Sequence, residues 1–121
     1  MRFLWVGLGG ALGSMLRYAV GLAFAASTFP MATLVVNLTG SFVIGLVFSA
    51  FLGRWPVPVM TAITVGVLGG FTTFSTFAWE SLSAAHDEQL GVAAAYVAAS
   101  VIGGLLAVWL GYLTGRGISA S

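Results

Sequence analysis

Charged residues are scarce in this chain, and their scarcity indicates its class. Of its 121 residues only 6% are charged and 60% are hydrophobic, and the mean hydropathy is +1.08. In water-soluble domains about a quarter of the residues are charged. The sequence therefore predicts a membrane protein. The net charge of +1 is too small to indicate a nucleic-acid partner.

Cysteine is absent and proline is rare. The lack of cysteine excludes disulfides and thiolate metal sites. The three prolines fall in or beside the few polar breaks of the chain, where a missing backbone N–H does no harm. The start of the chain has one leading arginine and no A-x-A-like cleavage site, so we do not expect a cleavable signal peptide.

The polar breaks leave four apolar runs, and each is long enough to cross a bilayer, which takes roughly 20 residues. Because the runs are continuous and do not alternate, a β-barrel is disfavoured. We expect one all-α transmembrane domain over residues 1–121 with four helices, at about residues 3–26, 32–52, 59–83 and 91–114.

Titratable side chains are too few to suggest catalysis. The chain has one histidine and three acidic residues. His86, Asp87 and Glu88 are adjacent in one predicted loop, where neighbouring side chains rarely converge on a metal. We expect that the protein is not an enzyme.

The third apolar run contains an unusual polar stretch, GGFTTFSTFAWE, at residues 69–80. Its glycines weaken a helix, and its hydroxyl groups can bond to freed backbone groups, so the helix could be broken near the bilayer midplane. A broken helix would offer carbonyl oxygens to a cation and N–H groups to an anion. The alternative is a straight helix whose serine and threonine hydroxyls bond to the preceding turn.

Two phenylalanines of this stretch share one helix face, because Phe74 and Phe77 are three residues apart. The edge of an aromatic ring carries positive potential, so ring edges can line the path of an anion. Such a pair alone is usually in the core or faces lipid. Its position among hydroxyl residues favours the anion path here.

Three stretches together resemble the Fluc (CrcB-type) fluoride channel family: GGALGSMLRY at residues 9–18, LVVNLTGSFVIG at 34–45 and GGFTTFSTF at 69–77. The resemblance extends over essentially the whole chain. It implies a fluoride-selective channel for passive export of fluoride from the cytoplasm, in the bacterial inner membrane. It also implies an antiparallel dual-topology dimer, with two pores along the subunit interface and a structural Na⁺ at the centre.

The resemblance assigns roles to residues of the expected pore. The amide of Asn37 would donate to the anion, and Phe74 and Phe77 would lie beside it. The implied fluoride pore residues are Asn37, Phe74, Ser75, Thr76, Phe77, Tyr96 and Ser100.

The resemblance also assigns the Na⁺ site, to the backbone carbonyls of Gly69 and Thr72. One position departs from the family pattern. The next residue on the face of the fourth helix that carries Tyr96 and Ser100 is Gly104, which offers no hydroxyl.

Polar residues inside apolar runs need partners. Asn37 is costly there unless it is hydrogen-bonded, and a bridge between two helices is the alternative to a transport role. Arg17 and Glu80 are expected toward the same membrane face. We hypothesise that they form an ion pair; the alternative is that Arg17 extends to the nearer interface alone.

The distribution of arginines bears on how the chain inserts. Arg2, Arg54 and Arg116 fall on the side of the membrane that holds the N-terminus, and the loops on the other side have no lysine or arginine. Cytoplasmic loops are usually rich in these residues, whereas a dual-topology chain should be nearly balanced. Since three charges are few, we favour an inverted homodimer over a heterodimer with a homologue of opposite bias.

Two other functions also fit a small membrane protein of four helices. A small dual-topology multidrug/proton antiporter would need an intramembrane carboxylate, for which only Glu80 is available, near a predicted helix end. A non-transporting membrane assembly subunit would tolerate the loss of every hydroxyl in the third helix.

Overall fold

Four helical rods make up most of the protein, and residues 1–120 are the part that the computed structural model describes. The first rod is α1 (Arg2–Ala23) and the second is α2 (Met31–Phe51). The third rod begins with α3 (Val57–Thr61), continues as a π-helical stretch (Ala62–Leu68) and α4 (Gly69–Phe71), and ends with α5 (Ser75–His86). The fourth is α6 (Leu90–Ala120).

All four rods are long and apolar enough to cross a membrane, which confirms the prediction of an all-helical membrane protein. The rod ends differ from the sequence-based bounds by a few residues. The first rod ends at Ala23, and the fourth extends to Ala120. There a side chain from the loop after α2 holds the last turn, because Arg54 Nη2 donates to Ser119 O at 2.8 Å.

The rods pack in two close pairs. The main neighbour of α2 is α6, and the main neighbours of α1 are the π-helical stretch and α4. The backbones of the first pair approach so closely that a Cβ on Gly45 would collide with Val108 O, and one on Gly111 with Phe42 O. Small residues allow such contacts between membrane helices.

The outer surface of the protomer is apolar. Phe3 is 93% exposed and Met1 is 86% exposed, and many leucine, valine and tryptophan side chains are also exposed. The largest fully buried side chains are Tyr96 and Val36. Lipid tails solvate such a surface well, and outside residues 72–74 the rods follow helical geometry, in which backbone polar groups bond within the helix as a bilayer requires. The chain is a multi-pass membrane protein.

Candidate functional site

Helical geometry is lost in the third rod at residues 72–74, which we call the interruption. α4 ends at Phe71, Thr72 has an extended backbone (φ −89°, ψ 158°), and α5 begins at Ser75. In a continuous α-helix, Thr73 N–H would bond to Gly69 O, and Phe74 N–H to Gly70 O. The interruption removes these donors, so the carbonyls of Gly69 and Gly70 need other partners.

Asn37 on α2 holds the interruption through both ends of its amide. Nδ2 donates to Thr73 O at 2.9 Å, and Thr73 N donates to Oδ1 at 2.8 Å. Asn37 thus forms the helix bridge that its position in an apolar run requires. The amide has a second N–H, for which the described part of the chain provides no hydrogen-bond partner.

Thr73 links the interruption to the start of α5. Its Oγ1 accepts a hydrogen bond from Thr76 N at 3.3 Å, so Thr73, which precedes the N-cap residue Phe74, supplies an acceptor to the first turn of α5. The same oxygen lies 3.3 Å from Thr76 Oγ1 and 3.4 Å from Ser75 Oγ. Thr73 was not predicted as a site residue, although its position within the hydroxyl-rich stretch at residues 69–80 was a signal for it.

An uncharged cavity lies beside the interruption, and we call it the neutral cavity. It has a volume of about 360 Å³, and none of the described residues that line it is charged. It brings together Asn37, Gly69, Thr72 and Phe74, which were predicted from the sequence as site residues, with Thr73, which was not.

A second cavity, which we call the charged cavity, lies on the other side of Thr73 and has a volume of about 480 Å³. Both Arg17 and Glu80 line it, but each has another partner. Arg17 Nε donates to Gly70 O at 3.1 Å, and Glu80 Oε1 accepts from Tyr96 Oη at 3.0 Å. Since no ion pair joins them within residues 1–120 of one protomer, that pair stays a prediction.

The two phenylalanines form part of an aromatic chain. Phe74 is 78% exposed, and its ring centroid lies 5.6 Å from that of Phe77 at 57°. Phe77 is in turn 5.1 Å from the buried Tyr96 at 60°, and Tyr96 meets the ring of Phe29 edge-on at 5.7 Å. Tilted rings present edges as well as faces to their surroundings.

On α6, Ser100 Oγ is buried and has no hydrogen-bond partner among the described residues. Near Gly104, where the fourth helix lacks a hydroxyl, α2 supplies one: a Cβ on Gly104 would lie 3.7 Å from Ser41 Oγ. Ser41 also lines the neutral cavity. Ser41 was not predicted as a site residue, because it lies on a different helix from Gly104 and only the packing of α2 against α6 brings the two together.

Comparison with known proteins identifies the family. Residues 4–112 match the family model described as CrcB-like protein, Camphor Resistance (CrcB). The chain is 44% identical to the fluoride-specific ion channel FluC of Acidobacterium capsulatum, over 99% of this chain and 100% of the relative. It is 44% identical to FluC 2 of Geobacillus kaustophilus, over 93% and 91% of the two chains. It is 45% identical to FluC of Thermus thermophilus, over 94% and 93%.

These relatives are named as ion channels, which agrees with the expectation that the chain is not an enzyme. The match covers most of the chain, including the interruption and the two cavities. The chain therefore belongs to the CrcB-like family.

Proposed function

We propose that this chain forms a fluoride-selective channel that lets fluoride leave the cytoplasm passively. The observation that carries the proposal is the interruption itself, where Asn37 holds Thr73 beside the exposed Phe74, in a chain whose relatives are named fluoride-specific channels. We further propose that the interruption lies near the bilayer midplane and is the predicted break of the third helix.

Fluoride loses a strong hydration shell on entering an apolar phase, so its path must offer compensating donors. The spare N–H of Asn37 and the N–H groups of Ser75 and Phe77 in the first turn of α5 are such donors. Hydroxyl groups of Ser75 and Thr76 lie next to them, and the unpartnered Ser100 Oγ on α6 is a further candidate donor. The edges of Phe74 and Phe77 add positive potential without a fixed charge.

Proton-coupled antiport has less support. Among the described residues, Glu80 is the only acidic residue within the four candidate spans, and it accepts a hydrogen bond from the buried Tyr96. A non-transporting subunit would not explain why polar groups meet at the interruption. The names of the relatives also favour a channel over both alternatives.

The residues around the neutral cavity fit a structural Na⁺. Thr73 N–H, the usual donor to Gly69 O, bonds to Asn37, and Thr76 N–H, the usual donor to Thr72 O, bonds to Thr73 Oγ1. Both carbonyls belong to residues that line a cavity without charged groups. Neutral carbonyl oxygens at a helix break suit an alkali cation.

One protomer supplies only two such carbonyls, so the proposed Na⁺ site is incomplete without a second copy. An antiparallel dimer would bring two neutral cavities together and supply four oxygens. Its interface would cover part of the apolar outer surface and carry one pore on each side. We favour the homodimer, with the heterodimer as the alternative.

The proposed function predicts fluoride efflux from liposomes that contain only this chain. Vesicles loaded with potassium fluoride are diluted into fluoride-free medium. Valinomycin is added so that K⁺ can leave with fluoride and no opposing membrane potential builds up, and an electrode measures the released fluoride. Chloride-loaded vesicles are the control and should release no chloride. Absence of fluoride efflux would contradict the homodimeric channel, and efflux that appears only with a co-expressed homologue would favour the heterodimer.

Removal of Na⁺ should reduce both fluoride flux and dimer stability, because the four carbonyls would then repel one another. The protein is exchanged slowly into N-methylglucamine buffer, and flux and melting temperature are measured before and after Na⁺ is restored. Recovery with Na⁺ is expected. Full activity and an unchanged melting temperature after complete exchange would show that the carbonyls do not hold the ion.

A further inference from the structure

Arg17 makes a contact that is neither a hydrogen bond to an anion in the pore nor an ion pair with Glu80. Its Nε donates to Gly70 O at 3.1 Å in a partly buried position. In a continuous helix Gly70 O would accept from Phe74 N–H, but α5 begins only at Ser75. Arg17 therefore replaces the backbone donor that the interruption removes.

One face of α1 follows α4 closely up to this contact. A Cβ on Gly70 would lie 2.6 Å from Gly10 O and 3.2 Å from Ser14 N. Gly10, Ser14 and Arg17 are spaced by four and three residues, and so lie along one face of α1. The backbone contact fixes the position of α4, and Arg17 then fixes the orientation of its last carbonyls.

Two neighbouring carbonyls thus have different surroundings. Gly70 O is bonded toward α1, whereas Gly69 lines the neutral cavity on the side of α2. We infer that Arg17 is a positioning residue for the interruption, and that its Nε–H, rather than its charge, keeps the Gly69 and Thr72 carbonyls available to the neutral cavity.

The position of the donor atom makes this inference testable. The amide nitrogen of glutamine is separated from Cα by the same three carbons as arginine Nε, so Arg17→Gln keeps an N–H donor at that place and removes the charge. Lysine has a methylene there and carries its charge one atom further out. Arg17→Lys therefore keeps the charge but has no donor at the position of Nε, and Arg17→Met removes both the charge and the donor.

If the donor matters, Arg17→Gln should resemble the wild type more than Arg17→Lys does, and a role of the charge would predict the reverse. The titratable groups that line the charged cavity with Arg17 are Tyr18 and Glu80. If Arg17 served to attract anions or to balance Glu80, lysine would substitute for it better than glutamine would.

The contact itself can be observed without any transport assay. Gly70–Phe71 is the only Gly-Phe dipeptide in the sequence, so labelling glycine with ¹³C at the carbonyl and phenylalanine with ¹⁵N isolates the Gly70 carbonyl in solid-state NMR of protein in bilayers. The Gly70 carbonyl shift should be retained in Arg17→Gln, and should move upfield in Arg17→Lys and Arg17→Met as the hydrogen bond is lost.

Fluoride flux and its Na⁺ dependence test whether Arg17 affects the proposed Na⁺ site, and this part of the inference rests on the proposed function. The Na⁺ concentration for half-maximal flux should stay near that of the wild type in Arg17→Gln and rise about fivefold in the other two variants, as loss of one hydrogen bond implies. Arg2→Gln, which removes an exposed charge at the start of α1, is the matched control and should behave as the wild type.

The outcomes distinguish a role of the Arg17 Nε–H donor from a role of the Arg17 charge. Lysine performing as the wild type while glutamine fails would overturn the inference, as would equal behaviour of all three Arg17 variants in both measurements. If the wild type carries no fluoride, the proposed function fails, and the Gly70 shift still decides whether Arg17 positions the interruption.

Discussion

Asn37→Asp is expected to abolish most of the fluoride flux, although it changes only one non-hydrogen atom. The aspartate can still accept from Thr73 N–H, but its second oxygen would face Thr73 O, which now receives a hydrogen bond at 2.9 Å. Two acceptors at that distance repel each other, and the carboxylate also places a negative charge beside the proposed anion path. The interruption should open, and flux should fall more than about tenfold, the effect of roughly 1.4 kcal/mol.

Asn37→Ser should be milder than Asn37→Asp. A serine hydroxyl is too short to hold both groups of Thr73, but it introduces neither repulsion nor charge. Flux and melting temperature are measured for each variant. Gln89→Glu is the matched control, because it makes the same amide-to-carboxylate change at an exposed loop position. Wild-type flux in Asn37→Asp would contradict the role assigned to the bridge to Thr73.

The four rods were predictable because the determinant is local. An apolar run of about 20 residues crosses the membrane wherever it occurs, and polar breaks mark its ends. The need of Asn37 for a partner was also predictable, since an unbonded amide in an apolar run is costly. The identity of that partner was not, because Thr73 is 36 residues away and meets Asn37 only through the packing of α2 beside the third rod.

Arg17 illustrates why charge patterns alone were insufficient. The sequence placed Arg17 and Glu80 at the same end of the bundle, and they do line one cavity. The competing partner of Arg17 is the Gly70 carbonyl, which becomes an acceptor only because the helix is interrupted. A hydrogen-bonding group created by backbone geometry has no residue type that marks it in the sequence, whereas an opposite charge does.

Replacing Phe74 or Phe77 by isoleucine should stop most fluoride flux while the proposed dimer remains assembled. Isoleucine keeps apolar volume but has no ring edge, so the positive potential offered to the anion disappears. Phe74 is 78% exposed in the protomer, and its ring contact is with Phe77, so folding should change little. Phe77 lies between Phe74 and Tyr96 and should lose somewhat more stability, about 1 kcal/mol for aromatic contacts.

The measurements that separate packing from transport are the elution volume of the purified protein, its melting temperature and fluoride efflux from vesicles. Phe3→Ile is the matched control, because Phe3 is a 93% exposed ring on α1, far in sequence from the interruption. We expect wild-type flux in the control and at least about tenfold lower flux in both test variants, the consequence of losing roughly 1.4 kcal/mol of anion stabilisation. If both variants elute as dimers and conduct fluoride at the wild-type rate, the ring edges do not stabilise the anion, and the amide and hydroxyl donors at the interruption must do so without them.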